Sequence, residues 1–155
     1  MKRITLLLAV AALALAGCAA RSNNPNTPSA GDSPYTVALK AANSIASGIG
    51  NGMTLVDQTR QNGLISAAEE SKVLGYLKFA NDADKAFADC IAAVHTSGAV
   101  GGFSTCAQTF NATLNNPAEM ALIHVGNSKA QSDINAIVQG VITGVTTVVT
   151  ALKGQ

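Results

Sequence analysis

Three cysteines and two histidines are the side chains with the widest chemical reach in this sequence. Cys90 and Cys106 lie sixteen positions apart. A redox-active pair prefers the C-x-x-C spacing, which these two lack. A structural zinc site takes four thiolate or imidazole ligands at characteristic intervals. Cys90, His95, Cys106 and His124 make such a set on paper, but their intervals match no known finger, so no metal site is expected. Catalytic serine motifs are missing as well: there is no G-x-S-x-G and no Ser-x-x-Lys with its partner motifs. Gly48, Gly50 and Gly52 form a glycine-rich run. It lacks the Lys-Ser/Thr and the preceding strand of a phosphate loop. The residue set predicts a protein that is not an enzyme.

The composition agrees. The chain has 155 residues, of which 48% are hydrophobic, 12% charged and 4% aromatic, with no Trp. An ordinary domain has about 25% charged residues. Ser, Thr, Asn, Gln, Gly and Ala must therefore supply much of the surface. A net charge of +1 excludes a basic nucleic-acid footprint. Tyr35, Tyr76 and four phenylalanines are too few for an array of sugar-stacking platforms.

Cys18 has a different context. Lys2 and Arg3 precede an apolar run from Ile4 to Leu15. That is the length of a signal-peptide core and too short for a spanning helix. Leu15-Ala16-Gly17-Cys18 follows at once. This segment resembles the lipobox of bacterial lipoproteins: a Leu, two small residues and the modified Cys. The resemblance covers residues 1–20 alone. It implies cleavage between Gly17 and Cys18, a diacylglycerol on the Cys18 sulfur and an acyl chain on its new amine, with no other cofactor. It also implies an oxidising compartment. Ala19, in place of Asp after the Cys, resembles outer-membrane cargo by the enteric sorting rule. Removing Lys2 and Arg3 leaves eight basic residues against nine acidic ones. The membrane attachment thus rests on the lipid, and several acyl chains make it durable where one is marginal. In such a compartment two remaining thiols pair, so a Cys90–Cys106 disulfide is expected, worth about 3 kcal/mol by loop closure.

The elements that position these residues are helical. Residues 19–34 contain Pro25, Pro28 and Pro34 and no large apolar side chain. Such a segment cannot offset its ordering entropy. It reads as a flexible tether reaching roughly 20 Å as a coil and about 50 Å when stretched. Beyond it, apolar residues recur at three and four, the helical period. A first helix starts after Ser33-Pro34 and carries Ala38, Ala41, Ala42, Ile45, Ile49, Met53 and Val56 inward. Its three glycines each cost about 1 kcal/mol against Ala, so a kink or break is expected there, or a close approach by another helix. A second helix opens on the capping box Ser66-Ala67-Ala68-Glu69. It turns Val73, Tyr76, Leu77, Ala80, Ala83, Phe87, Cys90, Ile91 and Val94 inward. Asp82, Asp84, Lys85 and Asp89 are expected mainly on its outer face. A short third helix carries Phe103, Cys106, Ala107, Phe110, Thr113 and Leu114. A fourth begins at Asn116-Pro117, falters at Gly126-Asn127 and resumes from Ile134.

Residues 134–152 contain no charged side chain. Their stripe (Ile134, Ile137, Val138, Val141, Ile142, Val145, Val148, Val149, Leu152) reads best as a bundle-core helix, with a membrane-associated helix or a strand as alternatives. Ala136, Gly140 and Gly144 form a small-residue ridge, a candidate helix interface of the kind membrane pairs use.

The expected fold is all-α: a small antiparallel bundle of three long helices and one short over residues 35–155. It follows a signal peptide (1–17) and a lipidated Cys with a disordered tether (18–34). The expected function is a binding or structural role in the bacterial cell envelope, on the outer membrane with the domain in the periplasm. Its partners are the membrane and either an envelope protein or a second copy, and not nucleic acid. The alternatives are a membrane-active or oligomerising protein acting through the C-terminal helix, and a carrier of a small apolar ligand.

Overall fold

The computed structural model describes Ser29 and residues 31–99 and 101–153, without the side chains of Leu122, Val145, Thr147–Val149 and 151–153. The signal segment, Gly17, Cys18 and residues 19–28 of the expected tether lie outside this description.

Helix α1 (Pro34–Gln61) starts where Ser33 accepts the Thr36 N–H at 3.2 Å, with Pro at the first helical position. There its missing N–H costs nothing. Just before it, the last expected tether residues are held to the domain: the Ser29 N–H donates to Asp32, and Asp32 pairs with Lys40 at 2.9 Å. Helix α2 (Ala67–Ser97) opens on the expected capping box. Ser66 accepts from the Glu69 N–H at 3.2 Å, and Glu69 accepts from the Ser66 N–H at 2.8 Å. It ends at Gly98, whose φ of 71° is the left-handed cap that glycine adopts without a Cβ clash.

Helix α3 (Gly102–Leu114) is short, and Asn116 caps the single turn α4 (Pro117–Met120). One 3₁₀ turn, Ala121–Ile123, follows, and then helix α5 (Ser128–Lys153). The fourth helix of the sequence reading is therefore two elements, a one-turn helix and a separate long one. Asn127 makes the division by accepting the N–H groups of Lys129 and Ala130, both at 3.0 Å. Gln131 secures it by accepting from Val125 N–H and donating to the Ile123 carbonyl.

The expected break in α1 does not occur; the helix is continuous through its glycines. Gly52 is buried, and a Cβ there would lie 2.8 Å from the Cγ2 methyl of Ile137. That glycine lets α1 and α5 approach, and the apolar burial of Ile45, Ile49 and Val56 on either side holds the helix together.

The four longer helices form a ring in the order α1, α2, α3, α5 and back to α1. Tyr35 stacks on His95 at one end of the α1–α2 pair, and Gly52 faces Leu77 nearer the other. These contacts fix an antiparallel register. Phe87 stacks on Phe110 between α2 and α3. Helix α3 has only 13 residues against 31 in α2, so it covers about 20 Å of a helix about 46 Å long. The connection from α3 to α5 covers the remainder, with Ile123 and Val125 buried in the core. Tyr76 marks this junction by donating its hydroxyl to the Leu114 carbonyl at 3.3 Å. Among the described residues there is no strand, and no helix is long and apolar enough to cross a membrane.

Candidate functional site

Helix spacing brings Cys90 and Cys106 together. Both lie on sides of α2 and α3 that face each other, and Val94 and Gly102 meet one turn above; a Cβ on Gly102 would sit 2.7 Å from Val94. The cysteines form the expected disulfide, with their Cα atoms 5.8 Å apart. His95 and His124 do not join them. His95 stacks on Tyr35 with ring centroids 3.8 Å apart, and His124 is exposed in the α4–α5 connection. Among the described residues no cluster of His, Cys, Asp or Glu is placed to hold a metal ion.

Below the disulfide, Ala83, Ala86, Phe87, Thr109, Phe110 and Thr113 line a shallow groove of about 140 Å³. Small-molecule sites usually enclose about 300–1,000 Å³. The Thr113 hydroxyl donates to the Thr109 carbonyl of its own helix, so it offers the groove no free proton.

Ala136, Gly140 and Gly144 are half-buried along one flank of α5. A Cβ on Gly144 would meet nothing within 4 Å. Beside this flank, Asn135, Gln139, Thr143, Thr146 and Thr150 are exposed. Thr146 and Thr150 donate to the carbonyls of Ile142 and Thr146, at 3.0 and 2.9 Å.

Asp84 departs from the expected outer face. It is 6% exposed, on the core side of α2 in phase with Leu77, Ala80 and Ile91. Its Oδ1 is buried, and no described residue gives it a hydrogen bond. Burial pushes its carboxyl up to about 7. The signal lay in the spacing: Asp84 falls four residues after Ala80 and seven before Ile91, positions that share a helix face whatever their chemistry.

Glu69 is the opposite case. Its Oε1 accepts the Gly126 N–H at 2.7 Å, and its Oε2 accepts the Ser66 N–H and hydroxyl. These donors, Gly126 first, hold its carboxyl down at about 2. The Ser66 contacts follow from the capping box. The Gly126 contact, 57 residues away, has no local sequence signal.

Compared with known proteins, the chain matches no family model, no curated protein and no solved structure.

Proposed function

We propose that this chain is a lipid-anchored bacterial envelope protein whose helical domain has a binding or structural role and no catalytic one. The observation that carries the reading is Leu15-Ala16-Gly17-Cys18 at the end of a basic-then-apolar leader. The Cys90–Cys106 disulfide is compatible with an exported domain. In this reading Cys18 becomes the first residue, carries the acyl chains and holds the domain at the periplasmic face of the outer membrane. The partner is an envelope protein or a second copy. Cys18→Ser tests the anchor. Loss of lipid labelling and release from membranes are expected; retention of both contradicts the assignment.

A second reading, self-association through α5, is favoured by the open space at Gly144 and by the hydroxyls of Thr146 and Thr150, which donate within their own helix. A partner helix covering that face would strand neither hydroxyl proton. Gly144→Lys is expected to reduce oligomer size; an unchanged size removes the ridge as an interface. The α2–α3 groove, at about 140 Å³, gives the carrier reading no support.

A further inference from the structure

The buried carboxyl of Asp84 has no part in the anchor or in the α5 face. By the register that Tyr35–His95 and Gly52–Leu77 set, it lies level with Ile45 of α1, near the middle of the bundle. Every helix that packs around it lacks charge at that level. Helix α1 has no ionisable side chain between Lys40 and Asp57, and Lys40 bonds Asp32. Helix α3 has none apart from its disulfide-bonded cysteine, and α5 has none between Asp133 and Lys153. On α2 itself, Asp82, Lys85 and Asp89 are exposed, and Lys85 bonds Asp82. His95 is at the far end, stacked on Tyr35. Among the described residues no cation reaches Asp84, and none donates to Oδ1.

An unpaired carboxylate in such a place is far costlier than a neutral carboxyl. We propose that Asp84 makes the closure of α2 onto the bundle proton-controlled: the core closes over the neutral acid and loosens when Asp84 ionises and draws in water. The upward shift of its carboxyl by burial is in keeping with this geometry. The closed state holds one proton that the open state gives up across the intervening pH range. Linkage of one proton changes the open-to-closed ratio about tenfold per pH unit. This inference goes beyond the anchoring role and does not depend on it.

The test is urea unfolding of the chain and of Asp84→Asn, disulfides intact, from pH 4.5 to 8.5. The folded-to-unfolded ratio of the parent relative to Asp84→Asn is expected to fall about tenfold per pH unit and to level off near pH 7. Contributions common to both proteins cancel in that comparison. Identical pH profiles overturn the proposal. Should Asp84→Asn fail to fold, the Asp84 ¹³Cγ resonance of the parent decides: a midpoint near 7 supports the device, and an ordinary Asp midpoint near 4 overturns it.

Discussion

Glu69 and Asp84 stand fifteen residues apart on one helix, and their surroundings drive two chemically similar carboxyls in opposite directions. Glu69 lies at the start of α2, where backbone N–H groups are unpaired, and it collects three donors. Asp84 lies at mid-bundle, where the helix's own carbonyls consume the backbone donors and the neighbouring helices contribute apolar side chains. The difference teaches that a helix start, with its cap and the loop that packs on it, supplies what a carboxylate needs, and a helix middle does not. The signs of the pH dependence follow. Stability from ionised Glu69 is present above its ordinary 4.5 and is lost as pH falls towards about 2. Stability associated with neutral Asp84 is complete below its ordinary 3.8 and is lost as pH rises through about 7. The sum of these two contributions is greatest at about pH 4.

Four substitutions sharpen this contrast. Asp84→Ala is expected to have the largest effect, a gain of roughly 2–4 kcal/mol at pH 8 that disappears by pH 4, read from urea midpoints. A uniform loss at both values would mean that Asp84 has a partner. Glu69→Gln comes next and acts with the opposite sign: it destabilises at pH 7, and the deficit shrinks on acidification below pH 4. Ser66→Ala removes one cap and costs about 1 kcal/mol. Its loss should overlap that of Glu69→Gln in the double variant, because the two side chains share one box. Lys85→Ala is the smallest. Its exposed pair with Asp82 is worth under about 0.5 kcal/mol, so a larger change would show that charge anywhere on α2 matters, not position.

Much of the architecture was legible in the residues. Ser33-Pro34, Ser66 with Glu69, and Asn116-Pro117 each mark a helix start by local chemistry, and the cysteines fall on facing stripes. The division at Asn127 was legible only in part. An apolar stripe that resumes after Gly126 does not reveal that Gln131 folds back to hold the break. At the α1 glycines propensity counts only the cost of Gly and predicts a break, whereas close helix packing, the other expectation, is what Gly52 serves beside Ile137. For Asp84 charge predicts the outer face and helix phase the inner one, and phase prevails. The contact of Glu69 with Gly126 depends on how the chain returns to the start of α2, which no short window contains.

The functional reading rests on Cys18, so the most direct measurement is the intact mass of the protein extracted from the membranes of expressing cells. A chain beginning at Cys18 and carrying a diacylglycerol and an N-acyl chain is the predicted result. A chain that keeps residues 1–17, or one that starts elsewhere and carries Cys18 as an unmodified thiol, would contradict it.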